Sequence, residues 1–178
     1  METARLSLRE PADTDLEALR DYYRRNAERF APFEPVVPDT VADQAAWIAA
    51  RHAERRGGRA TSFLAFDRAS SQLAGIVILN GLSAENGLSA MLSYSIDGGL
   101  EGRGYASEAV RRVIDYAAQD LGVRSLTAYY HPANVRSGRL LERLGFTIVG
   151  QTPVIPGFET LMRPNVIAVL ETTLEPKA

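Results

Sequence analysis

A strand pattern that runs through a glycine turn directly into an amphipathic helix constrains this chain more than any other feature. Met91-Leu-Ser-Tyr-Ser-Ile96 reads as a strand ending at Asp97-Gly98-Gly99, and Glu101-Gly102-Arg103-Gly104 follows. From Tyr105 onward, Ala106, Ala109, Val110, Val113, Ile114, Ala117 and Leu121 recur at the three/four spacing of one buried helix face, while Arg111, Arg112, Asp115 and Gln119 fall on the other. Gly102 and Gly104 let the backbone turn tightly and come close to a ligand, and the first amides of the helix stay unpaired at the positive end of its macrodipole. Such a terminus takes an anion. The competing reading is a glycine turn that only changes chain direction.

Two phosphate motifs share this architecture, and neither fits the residues. A P-loop requires Gly-Lys-Ser/Thr after its spacer, and there is no lysine before Lys177, which argues against nucleoside triphosphate hydrolysis. The dinucleotide fingerprint requires Gly or Ala where Ser107 stands and an acidic residue at the end of the next strand, but Ser125 to Tyr130 runs into His131 instead.

The remaining pattern alternates strands and helices. A strand is expected at Leu6 to Arg9, then a helix from Pro11-Ala-Asp13 to Phe30 with Asp13 or Thr14 as its N-cap. After a proline-broken loop, Pro32 to Pro38, Thr40 caps a second helix that ends at Gly57-Gly58. Thr61 to Asp67 and Leu73 to Asn80 read as paired strands, and Gly81 to Gly87 as a polar turn before the strand from Ser89. Beyond the glycine-turn helix come a strand at Ser125 to Tyr130, a short helix at Asn134 to Leu144, and strands at Phe146 to Gln151 and Asn165 to Thr173. That order predicts an α/β sandwich around a mixed sheet.

A chain of 178 residues with 46% hydrophobic and 24% charged residues suits one domain with a full core, so a single domain over residues 1 to 178 is expected. The absence of cysteine leaves no disulfide framework, thiol nucleophile or thiolate metal site, and suits a reducing compartment. A net charge of −2 lacks the dense basic surface that neutralises nucleic-acid phosphates, and the cluster from Arg51 to Arg59 reads as a solvated helix end. Apolar runs fall short of a membrane span and the first residues lack a signal-peptide core, so a cytoplasmic protein is expected.

Three segments in order resemble a known family. Glu101-Gly102-Arg103-Gly104-Tyr105-Ala106 is similar to the pyrophosphate-binding segment of the GNAT N-acetyltransferases, Gln/Arg-x-x-Gly-x-Gly/Ala, with Glu101 in place of the usual Gln or Arg. His131-Pro-Ala-Asn134-Val-Arg-Ser137-Gly-Arg139 and the following Leu144-Gly145-Phe146 resemble the Asn-x-x-Ser helix and Leu-Gly-Phe of the RimJ/RimL branch, whose members acetylate N-termini of ribosomal proteins. Ala31-Pro-Phe33-Glu34-Pro35 is similar to that branch's Pro-aromatic-Glu-Pro stretch, whereas Thr152 to Arg163 departs from its usual polar turn.

The resemblance implies a GNAT-type sandwich: a mixed, mostly antiparallel sheet splayed at its centre, with helices on both faces. It implies acetyl-CoA as acyl donor and no metal. Tyr94, Ser95 and Ile96 would pair with the pantetheine arm like an added strand. Gly102, Arg103, Gly104, Tyr105, Ala106 and Ser107 would bind the pyrophosphate, and Asn134 and Arg139 would also contact the cofactor. Ser137 would stabilise or protonate the leaving thiolate, and Asn134 would bridge cofactor and amine or fix a water. Phe33, Glu34 and Glu159 would bind the acceptor. The residues alone favour Asn134 as a helix N-cap with Ser137 in its first turn and His131 as structural, and leave both glutamates readable as ordinary surface carboxylates.

The acceptor implied is a protein N-terminus, with a small amine, antibiotic or amino acid as the variant, in a monomer or homodimer. A non-catalytic acyl-CoA sensor on the same fold would have no use for the Asn134/Ser137 pair.

Overall fold

The computed structural model describes residues 1–33, 40–83, 88–152 and 165–172. Its elements in chain order are β1 (Leu6–Arg9), α1 (Leu16–Phe30), α2 (Val41–Arg56), β2 (Thr61–Asp67), β3 (Leu73–Ser83), β4 (Ser89–Ile96), α3 (Tyr105–Gln119), β5 (Ser125–Tyr130), α4 (Val135–Arg143), β6 (Thr147–Gln151) and β7 (Val166–Glu171). The strands form one seven-stranded sheet in the order β1-β2-β3-β4-β5-β7-β6. Every neighbouring pair is antiparallel except β4 with β5, which is parallel. The expected element order and the mixed, mostly antiparallel sheet are both present.

Strand alternation distributes the core to the two faces. On one face Leu64, Leu73 and Ile76 pack with Leu19, Tyr22 and Phe30 of α1 and Ile48 of α2. On the other, Phe63, Val77, Leu92 and Leu126 pack with Val110, Val113 and Ile114 of α3 and Leu140 and Leu141 of α4. Helices therefore cover both faces.

Local differences from the expected boundaries have local causes. Thr40 caps α2 as expected, its side chain accepting from the Asp43 N–H. The first helix is different: residues Asp13–Asp15 form one 3-10 turn, and α1 begins at Leu16. Neither Asp13 nor Thr14 is the α1 N-cap, which is Asp15, and its carboxylate makes no cap bond to α1. It accepts instead from the Ala12 N–H at 2.7 Å and from both terminal nitrogens of Arg9 at 2.6 and 2.5 Å. Strand β3 continues past Asn80 because a register shift lets Ser83 pair with Ser89.

Burial pushes the Asp15 carboxyl up, but the hydrogen bonds from Arg9 and Ala12 outweigh it and hold the group below its ordinary value. Such a group stabilises the fold above its unfolded pKa of about 4, and that contribution is lost as pH falls through the lowered folded value. The melting temperature should therefore drop below about pH 4, and Asp15→Asn should lower it at neutral pH while flattening the acid decline. Thermal melts across pH check both.

The centre of the sheet splays. β4 and β5 pair from Ser89↔Ser125 only as far as Leu92↔Ala128. Beyond that point β4 stays with β3 as far as Gly75↔Ile96, and β5 stays with β7 as far as Tyr130↔Val166. Because β4 and β5 run parallel, both C-terminal ends border the opening and lead on to α3 and α4. A crevice outside the carboxyl ends of strands is where open α/β sheets bind ligands. Among the described residues no helix is long and apolar enough to cross a membrane.

Candidate active site

At the β4 side of the gap the chain makes the turn expected from its glycines. Gly102 has φ of +68° and Gly104, the N-cap of α3, has φ of +83°. The first bond of the helix runs from the Glu108 N–H to the Gly104 carbonyl at 3.1 Å, so the amides of Tyr105, Ala106 and Ser107 have no partner within the helix. A Cβ built on Gly102 meets no atom within 4 Å, so its outer side is open.

Helix α1 holds the turn from the other face of the sheet. Arg25 binds Asp97 at 2.9 Å, and the Asn26 side-chain oxygen accepts from the Gly98 N–H at 2.8 Å. Arg29 donates to the Ile96 carbonyl at 2.6 Å and, through Nε, to Glu101 at 2.7 Å. Arg136 of α4 also binds Glu101, so the carboxylate that departs from the family pattern is matched by two guanidinium groups. Burial raises the Asp97 carboxyl, and hydrogen bonds from Gly99, Arg25 and Asn26 bring it below its ordinary value. None of these arginines was singled out in the sequence, since long-range ion pairs carry no local pattern.

Backbone direction along β4 is settled by one bond. The Asp97 N–H donates to the Ala74 carbonyl of β3 at 2.8 Å, so by alternation Ser95 also faces β3, and Tyr94 and Ile96 turn their peptide groups toward the gap. The Ile96 carbonyl is already taken by Arg29. Side chains alternate as well: the Ser95 hydroxyl accepts from Tyr22 of α1 at 2.9 Å, and Tyr94 points to the opposite face, its hydroxyl 2.8 Å from Ser137 Oγ of α4.

On the β5 side, Asn134 is the N-cap of α4, and its side-chain oxygen accepts from the Ser137 N–H at 3.2 Å. The cap leaves the Asn134 side-chain NH2 as the group it can offer elsewhere. The Tyr130 ring lies against α4 where a Cβ on Gly138 would come within 2.9 Å, so only glycine fits there. Burial pushes the Tyr94 hydroxyl up to about 12, against the opposing hydrogen bond with Ser137. Either hydroxyl of this pair can be the donor, and with Tyr94 donating to Ser137 Oγ the serine proton is left free. The sequence expectation for Tyr94 concerns its backbone; the contact of its hydroxyl with Ser137 exists only through the packing of α4. Arg139 is exposed on α4.

The expected acceptor residues are only partly placed. Phe33 is 43% exposed and lies 6.0 Å from the His131 ring, centroid to centroid, which brings the start of its loop to the end of β5. His131 Nδ1 accepts from the Ala133 N–H at 3.1 Å, so the neutral ring carries its proton on Nε2. Tyr129, two positions before it, is exposed, and Glu34 and Glu159 lie outside the described residues. No group of three or more His, Cys, Asp or Glu side chains placed to hold a metal is present among the described residues.

Comparison with known proteins agrees with this layout. The chain is 30% identical over 173 residues to the ribosomal protein uS5-alanine N-acetyltransferase of Escherichia coli, covering 96% of this chain and 89% of that one. Its fold is similar to the ribosomal-protein-S5-alanine acetyltransferase of Vibrio fischeri, with a TM-score of 0.86 at 20% identity over 96% of this chain and 95% of the other. It is also similar to Mycobacterium smegmatis RimJ, solved in complex with CoA-disulfide, with a TM-score of 0.85 at 19% identity over 97% and 85% of the two chains. The sequence profile described as the acetyltransferase (GNAT) domain matches residues 5–147. Since that match runs from β1 to the first residue of β6 and takes in both helices that flank the gap, this chain belongs to the GNAT acetyltransferase family.

Proposed function

We propose that this enzyme transfers the acetyl group of acetyl-CoA to the α-amine of a protein N-terminus, with a ribosomal protein as the acceptor. The observation that carries the reading is the gap beyond Leu92↔Ala128, which has a positively polarised glycine turn at its β4 border and a hydroxyl pair that links Tyr94 of β4 to Ser137 of α4. The acceptor class is taken from the similarity to a uS5-alanine N-acetyltransferase across nearly the whole chain.

The residues fit the donor. The free amides from Gly104 to Ser107, with Gly102 and Arg103 ahead of them, suit a diphosphate at a helix N-terminus. The peptide groups of Tyr94 and the Ile96 N–H face the gap and suit the amides of a pantetheine arm, while Ser95 contributes by fastening β4 to β3 and α1. Arg139 and the Asn134 side-chain NH2 lie on the α4 side, where the donor would be flanked.

Acetyl-CoA supplies an activated thioester, and the protein's main contribution is to hold it against the amine. The Ser137 proton, with Tyr94 donating behind it, stabilises the leaving sulfur. Tyr94 at about 12 is a weaker acid than a thiol at about 8.5, so the pair offers a hydrogen bond to the thiolate and keeps its own protons. An α-amine titrates near about 8 against about 10.4 for lysine, so the acceptor needs no strong base. Phe33, Glu34 and Glu159 are the residues proposed to hold it.

The rate should rise with pH through an apparent pKa near about 8, set by the acceptor's own amine. Phe33→Ala should raise KM for the acceptor severalfold with little change in kcat, because an aromatic wall at the entrance contributes binding and no proton transfer. Intact-mass assays with acetyl-CoA, offering free N-terminal alanine peptides, N-terminally blocked peptides with one lysine, free amino acids and aminoglycosides, test the acceptor. One acetyl added to the free N-terminus is the expected result. Preference for the blocked peptide or for a small amine overturns the N-terminal reading.

A further inference from the structure

Arg5 stands just ahead of β1, 98 positions from Arg103 of the glycine turn, yet its guanidinium is committed to that turn. Its Nη1 donates to the Arg103 carbonyl at 2.6 Å, its Nε and Nη2 bind the Glu108 carboxylate at 2.7 and 2.6 Å, and its Cζ lies over the Tyr105 ring, 4.4 Å from the ring centre. A Cβ built on Gly104 would come within 3.2 Å of its Nη2. Glu108, in the first turn of α3, is fixed in its turn by the Thr3 hydroxyl at 2.5 Å and the Arg5 N–H at 2.7 Å.

We propose that Arg5 is a positioning residue for the donor's diphosphate, acting through the Arg103–Gly104 peptide, an inference that rests on the reading of this turn as the diphosphate site. In a trans peptide the carbonyl and the following N–H point in opposite directions. Tying the Arg103 carbonyl to Arg5 therefore aims the Gly104 N–H away from β1, and stacking on Tyr105 holds the first helical residue in the same orientation. The guanidinium also neutralises Glu108, a carboxylate that would otherwise repel an anion one turn from the free amides. An ion pair serving only to fasten the N-terminal segment to α3 needs Glu108 alone. The bond to the Arg103 carbonyl and the ring contact belong to the turn.

Arg5→Lys keeps the charge and a partner for Glu108, but one ammonium on a flexible stem cannot reproduce the planar fork that reaches the carboxylate and the carbonyl together. The test compares acetyl-CoA with S-acetylpantetheine, a donor without the diphosphate, in the full-length wild-type protein and in Arg5→Lys and Arg5→Ala, with thermal melts alongside. For acetyl-CoA, kcat/KM should fall about tenfold in Arg5→Lys through KM, the scale of one lost charge-assisted hydrogen bond, with kcat at saturation unchanged. For S-acetylpantetheine, kcat/KM should match the wild type. An equal fall with both donors, or no fall with either in a folded variant, leaves Arg5 a structural fastening only and overturns the proposal. A wild type that does not distinguish the two donors overturns the diphosphate reading itself.

Discussion

Gly104→Val should weaken CoA binding by about a hundredfold or more while the domain still folds. Gly104 sits at φ of +83°, a backbone region that disfavours L side chains by roughly 1–2 kcal/mol and β-branched ones by more. The new Cβ would also lie 3.2 Å from Arg5 Nη2, so the turn must shift or the guanidinium must move. Either response rotates the amides that the diphosphate needs. The strain lies at the surface N-cap of α3 and not among the buried residues of that helix, so the melting temperature should fall by only a few degrees. Isothermal calorimetry with CoA measures the effect, and a folded variant with wild-type affinity would remove the phosphate assignment. Gly102→Ala is the milder control: it has the same sign of φ, but its Cβ meets no atom within 4 Å.

Ser137→Ala should lower kcat by about tenfold to a thousandfold with little change in acetyl-CoA affinity, the range of one lost stabilising donor at the leaving atom. Tyr94→Phe should give a smaller loss of the same kind. Because Tyr94 acts through the 2.8 Å contact with Ser137 Oγ, the double variant should be no worse than Ser137→Ala alone. Burial holds Tyr94 at about 12, so it stays protonated through the working range and Tyr94→Phe should leave the pH profile of the rate in place. Steady-state kinetics across pH on the three variants decide it. A fall in affinity with kcat intact would reduce Ser137 to a packing residue under the Asn134 cap.

Much of this enzyme was legible before any coordinates. Hydrophobic periodicity and cap residues act over a few positions, so β1, β2 and β5 begin and end where their side-chain patterns change, and Thr40 caps α2 by reaching only to Asp43. The glycine turn was readable for the same reason: the unpaired amides of α3, Tyr105 to Ser107, directly follow the two glycines at positive φ. Where a local rule met a distant partner, it failed. Thr14 and Asp13 look like caps, but Asp15 takes the ion pair with Arg9 and a 3-10 turn displaces the helix start.

The site's side chains were the part that packing alone could assign. Which peptide groups of β4 face the gap depends on strand register, which the bond from Asp97 to Ala74 sets and the residues from Tyr94 to Ile96 do not encode. Tyr94 meets Ser137 across 43 positions of sequence, Arg29 reaches Glu101 across 72, and Arg5 binds Glu108 across 103. Sequence patterning by itself determined the elements, their order and the glycine turn ahead of α3, because those follow from interactions within a strand or a helical turn. Tertiary structure alone decided which hydroxyl meets Ser137 and which arginines hold the turn, because such contacts exist only after the helices have settled on opposite faces of a splayed sheet.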